Sequence, residues 1–221
     1  MDLIMKKLIY IIFIILCTTE VGITQDANNP IDPKPTAGLF NRIYGNEFLR
    51  TQFIANATLG DWFVRLSSEV QFNYNSNNQF KGINFLVARL FSTDDGNHKF
   101  GIGGIISYID PKGIAGGINI VSVSKLGEWK FITLTTYQGG NDISLLEFQP
   151  GIYHNLTDSW YLRSHPRWLF DFITKTYEVP IGLGIGNIID ANGTLINLFA
   201  EPQYDIEQSR MMIYFGVKVL F

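Results

Sequence analysis

Arg210-Met211-Met212-Ile213-Tyr214-Phe215-Gly216-Val217-Lys218-Val219-Leu220-Phe221 closes the chain. Its odd positions, Met211, Ile213, Phe215, Val217, Val219 and Phe221, are all apolar, while Arg210, Tyr214, Gly216 and Lys218 stand between them. Successive side chains of a strand point to opposite faces, so the alternation predicts an extended strand with one apolar and one polar face.

The period recurs upstream. Ile196, Leu198, Ala200, Pro202 and Tyr204 alternate with Asn197, Glu201, Gln203 and Asp205. Trp62, Val64, Leu66, Val70, Phe72 and Tyr74 oppose Arg65, Ser67, Glu69, Gln71 and Asn73. Near the middle, Trp160, Leu162, Trp168 and Phe170 oppose Arg163, His165, Arg167 and Asp171. No window carries the 3.6-residue period of an amphipathic helix. Turn residues punctuate the pattern, among them Gly60-Asp61, Asn75-Ser76-Asn77-Asn78, Asp110-Pro111-Lys112-Gly113, Gly139-Gly140-Asn141-Asp142 and Asn192-Gly193. They delimit eleven strands after Asn46. Each is longer than the usual five or six residues of a globular strand and suits a tilted bilayer crossing, which takes about 9 to 11.

These features predict an all-β fold, an antiparallel up-and-down transmembrane β-barrel over residues 38-221. Barrels of this kind generally have even strand numbers. A further strand is therefore expected within Gly38–Gly45, for about twelve in all, with ten as the alternative. Trp62, Trp129 and Trp160 each open a strand just after a turn, where an interfacial aromatic girdle would stand. A secreted soluble β-sandwich is the competing architecture, since paired sheets can also bury alternating faces.

Composition agrees with a lipid-facing surface. Of 221 residues, 46% are hydrophobic and 14% aromatic. Only 17% are charged, against about 25% for soluble domains. The net charge of −3 argues against a nucleic-acid partner. At the start, Lys6-Lys7 precede the apolar run Leu8–Leu16, which is too short to span a bilayer. Residues 1-24 are expected to be a secretory signal peptide cut before Gln25, and 25-37 a proline-rich periplasmic linker. The single cysteine, Cys17, falls inside that signal, so no disulfide or thiolate metal site is expected. Nothing in the sequence calls for a metal or a cofactor.

Phe215, Val217, Val219 and Phe221 resemble the C-terminal insertion signal of bacterial outer-membrane barrels, an aromatic terminus preceded by alternating apolar residues. The resemblance implies the bacterial outer membrane as location, its lipid as surroundings, and the barrel-assembly machinery as a partner for the last strand. The final third also carries Phe148-Gln149-Pro150, Trp160-Tyr161-Leu162-Arg163-Ser164, Val179-Pro180-Ile181-Gly182-Leu183-Gly184-Ile185-Gly186 and Glu201-Pro202-Gln203-Tyr204. In that order they look like the bacterial outer-membrane transporters misleadingly named "neuromedin U". That family often ends in a proline after the phenylalanine, and this chain does not. The resemblance implies a barrel with a transport role and supplies no substrate or binding residue.

If the apolar stripes face lipid, the polar stripes face the lumen. Arg50, Arg65, Glu69, Arg89, Glu147, Arg163, His165, Arg167, Asp171, Glu178, Glu201, Asp205, Arg210 and Lys218 are then interior. Arg163, His165 and Arg167 form the densest basic cluster and are the candidate contact for an anionic solute. Arg65, Glu69, Asp171, Glu178 and Glu201 complete the candidate set. Two readings stay open: a channel for small polar or anionic solutes, or a barrel whose salt bridges plug it, with Asp171, Glu178 and Glu201 neutralising the basic cluster. A membrane-embedded lipid enzyme finds little support. Ser164 and His165 point to opposite faces of a strand, and the Gly182/Gly184/Gly186 run has no helix after it. Those glycines are expected to remove bulk from the lumen side or to let a neighbouring strand bend.

Overall fold

A computed structural model describes residues 34–94 and 96–221 of the chain. The expected signal peptide, 1-24, and most of the expected linker, 25-37, lie outside the described residues. Eight long strands come first: β1 (Thr36–Tyr44), β2 (Phe48–Leu59), β3 (Trp62–Asn73), β4 (Gln79–Ser92), β5 (His98–Ile109), β6 (Gly113–Leu126), β7 (Trp129–Gly140) and β8 (Ile143–Asn155). The ninth wall strand is split into β9 (Trp160–Ser164) and β10 (Trp168–Asp171). The tenth is split into β11 (Thr176–Glu178), β12 (Pro180–Gly182) and β13 (Gly184–Ala191). β14 (Thr194–Asp205) and β15 (Arg210–Leu220) are the eleventh and twelfth.

Every neighbour is antiparallel, and the ring closes twice: β1 pairs with β15 as well as β2, and β8 pairs with β9 and β10. The result is the expected twelve-stranded barrel, with its first strand where parity required one. Closure satisfies the edge groups that lipid could not. β1 begins at Thr36, two residues before the expected start. All connections are short, from the two-residue turn 192–193 to the five residues 74–78. At 192–193 both residues have positive φ, 56° and 89°, which suits Asn192-Gly193 to the tight hairpin it makes.

The outer surface is the apolar face of each strand. Ile106, Ile114, Ile118, Ile152, Met211 and Ile213 are all exposed, as are Phe85, Phe100 and Phe221. On a water-soluble surface such a belt would be a liability, but in a bilayer it is the solvent-matched face. Trp62, Trp129 and Trp160 stand at the end of the barrel that also carries both described termini, and Trp129 stacks on His154 with ring centroids 4.3 Å apart. This is the expected girdle.

Arg89 departs from expectation. In β4 the inward positions are the even ones, such as Leu86 and Ala88, so Arg89 points outward beside Trp62 in the ladder. Both faces of this half of β4 are apolar, and the rule that charge faces the lumen chose the wrong side. At the strand's end its guanidinium can reach the headgroup layer while its stem stays in lipid.

Candidate functional site

The inward face is not uniform along the barrel axis. Towards the terminal end it is mostly apolar, although Lys130, Asn187 and Asn197 are buried there too. Phe63, Val121, Val123, Ile132, Tyr153, Tyr161, Ile188, Leu195 and Leu220 are each no more than 5% exposed and form one cluster. The cluster draws on eight strands around the ring rather than on one wall. Water does not reach their surfaces, and this half of the lumen is filled by side chains.

Towards the opposite mouth the lumen holds a cavity of about 420 Å³. Leu86, Ile105 and Leu134 line its bottom and also belong to the apolar cluster beneath. Above them the walls are polar, with Arg50, Arg65, Glu69, Glu147, Arg167, Asp171 and Glu178 facing in. The Asp110-Pro111-Lys112 turn lies at the rim.

Most of these charges are paired across the lumen. Arg167 donates to Glu69 at 2.6 Å, from the broken ninth strand to β3. Arg50 of β2 meets Glu178 of β11 at 3.1 Å, and its Nε donates to Gln71 at 3.1 Å. Lys112 bonds Asp171 at 2.8 Å and ties the β5–β6 turn to the far side of the mouth. Arg210 and Glu47 make a further, more exposed pair at the rim.

The deepest pair sits where the wall is interrupted. Between Ser164 and Trp168 the ninth strand leaves both neighbouring ladders. The His165 N–H, which has no carbonyl to meet there, donates to Glu201 Oε1 at 2.9 Å. Arg163 Nε donates to Glu201 Oε2 at 2.8 Å, with 4% and 0% of the two side chains exposed. Gln203 donates to the same carboxylate at 2.7 Å, and the Arg163 guanidinium lies 3.6 Å from the Phe199 ring centroid. A buried carboxylate is tolerated only when so fully bonded. The imidazole of His165 bonds the Tyr153 hydroxyl. Side chains patch the tenth strand too: the Trp168 indole donates to the Pro180 carbonyl at 2.9 Å, and the Val179 N–H donates to Asp205 at 3.1 Å. Gly184 and Gly186 face inward as expected. A Cβ on Gly186 would stand 2.1 Å from the Tyr161 ring, which occupies that space.

The candidate residues therefore divide. Arg65, Glu69, Arg167, Asp171 and Glu178 line one cavity, whereas Arg163, His165 and Glu201 are a brace within the wall. Arg163 takes Glu201 as its counter-ion, but Arg167 takes Glu69, while Asp171 and Glu178 serve Lys112 and Arg50. Arg65 makes no ion pair or hydrogen bond within bonding distance among the described residues, although it faces the cavity. Sequence reading missed Arg42, which is 4% exposed and lies 4.0 Å from the Tyr214 ring centroid. The alternation of β1 against Leu39 and Ile43 carried that signal. It also missed the apolar filling. The run Phe85-Leu86-Val87-Ala88, apolar on both faces, was its trace.

A closed ring of antiparallel strands, apolar outside and charged within one half of its lumen, defines a β-barrel of the kind that spans membranes. Solved structures agree on the fold. The chain is similar to a KdgM porin in complex with disordered oligogalacturonate, with a TM-score of 0.62 at 9% identity over 84% of this chain and 99% of that one. It is similar to a NanC porin with a TM-score of 0.63 at 10% identity, over 85% and 98%. No family model matches the sequence. No curated protein matches it either.

Proposed function

We propose that the chain is an outer-membrane channel for small polar or anionic solutes, held closed in this conformation by the apolar cluster at its terminal end. Its described termini then face the periplasm, and the polar mouth opens outward. The observation that supports this reading most is the cavity itself: it opens to the mouth, is lined by charges, and stops on side chains rather than on a folded-in segment. The porins it resembles in fold and the transporter-like motifs of the last third support the same reading. The C-terminal stripe ending in Phe221, which lies on the lipid side, is the surface we assign to the barrel-assembly machinery. Phe221 is 64% exposed.

Burial of Phe63, Tyr161 and Leu220 favours a second reading, a permanently plugged barrel. Single-channel conductance in planar bilayers separates the two. A channel gives discrete openings in the wild type, and Arg167→Ala changes their size or ion selectivity. A wild type that stays silent, beside a Phe63→Ala/Tyr161→Ala variant that conducts, establishes the plug instead.

A further inference from the structure

Three of the cavity's ion pairs are complete, and four lining charges stand outside them: Lys81 and Asp110, which bond Gln79 and Tyr108, and the opposite charges Arg65 and Glu147. Arg65 on β3 and Glu147 on β8 both line the cavity, and no ion pair joins them within 4 Å. β3 and β8 lie five places apart in the twelve-strand ring, so the two face each other nearly across its diameter. Arg65 stands beside Leu86, its partner in the ladder and part of the cavity floor. Glu147 stands between Thr136 and Leu169, its partners on β7 and β10. It also accepts from Gln149 within its own strand. Gln138, on the same wall and only 4% exposed, keeps a buried Oε1 without a partner.

Taken together, the lining counts five basic side chains (Arg50, Arg65, Lys81, Lys112, Arg167) and five acidic ones (Glu69, Asp110, Glu147, Asp171, Glu178). Such a balance gives no net pull on an anion. It suits a ligand that carries both charges and is itself neutral. Separated charges over a low-dielectric floor are stabilised most by a partner that meets both at once. We propose that the cavity is a binding site for a small zwitterion of the α-amino-acid type with an aliphatic side chain. Arg65 takes the carboxylate as a forked pair, Glu147 takes the ammonium, and the side chain rests on Leu86, Ile105 and Leu134. Gln138 offers its free carbonyl oxygen as a second acceptor for the ammonium. The volume of about 420 Å³ is in the range of small-molecule sites. This assignment rests on the polar mouth facing solute, and it deepens the channel reading by naming the solute class.

Titration calorimetry on the folded barrel in detergent tests it, with three probes of one carbon skeleton. L-Leucine carries both charges, 4-methylpentanoate only the carboxylate, and 3-methylbutylamine only the ammonium. Leucine is expected to bind at least tenfold more tightly than either analogue. Arg65→Gln and Glu147→Gln are each expected to weaken leucine at least tenfold, in variants that still show the heat-dependent gel shift of a folded barrel. Should a variant fail to fold, the analogue series on the wild type still decides. Equal affinity for leucine and 4-methylpentanoate, or no binding of leucine, overturns the zwitterion assignment. Conductance without leucine binding sinks this assignment alone, whereas leucine binding to a barrel that never conducts sinks the channel reading alone.

Discussion

The wall from β2 to β7 and the wall from β8 to β14 are made from the same alternating pattern but held together differently. In the first, strands of 12 to 14 residues pair along nearly their whole length, with one register shift at Glu69/Val70. In the second, the ninth and tenth strands are broken into five pieces around Pro166, Val179 and Leu183. There, side chains supply bonds that the backbone no longer makes: Glu201 to His165, Asp205 to Val179, Trp168 to Pro180. A regular ladder leaves inward side chains free to vary. A broken one makes a few of them obligatory, because buried N–H and C=O groups have no water to turn to. Arg167 and Glu178, which cross the lumen to bond Glu69 and Arg50, also come from the broken wall, so the interruption feeds charge into the cavity.

The contrast is broken most directly at Glu201. Glu201→Ala strands the buried Arg163 guanidinium and the His165 N–H, and should cost about 3–5 kcal/mol. Urea unfolding of the barrel in lipid vesicles measures it, and a loss below about 1 kcal/mol would show that the carboxylate is not the brace. The double variant Arg163→Met/Glu201→Leu sharpens the point. It removes both charges but still strands His165, so recovery should be incomplete by roughly 1–3 kcal/mol.

Gly186→Ala comes next in size. Its Cβ would press on the Tyr161 ring, which is 1% exposed and hydrogen-bonded to Asn197 at 2.6 Å, so the ring has no free direction to yield. A loss of about 1–3 kcal/mol is expected in the same unfolding assay. A silent substitution would mean that the broken wall is looser than its hydrogen bonds imply.

Lys112→Ala should have the smallest effect on stability, at most about 1 kcal/mol, because the pair with Asp171 stands at the half-open rim. Its side chain is 29% exposed and that of Asp171 18%. Its consequence belongs to access instead: a charged thiol reagent should label a cysteine placed inside the cavity, Ser67→Cys, faster once the turn is untied. An unchanged rate would remove the β5–β6 turn from the mouth.

Much of this architecture was already written in the chain. Alternation in the last two strands and in β3 depends only on neighbouring residues, so the lipid face, eleven of the twelve strands and the turns followed from local pattern. Parity, a property of closed barrels, supplied β1. Local pattern could not say which inward charge meets which. Arg167 finds Glu69, and Arg50 finds Glu178, across a lumen whose width and stagger are set only when the ring closes. It could not place Arg89 either, since both faces of that stretch of β4 are apolar and only the ladder registers choose between them. Nor could it show that the apolar inward residues of eight strands gather in one buried cluster. Filling and pairing are relations between distant strands, and closure of the barrel decides them. Which way each side chain faces is a relation between neighbours, and the sequence alone determined most of it.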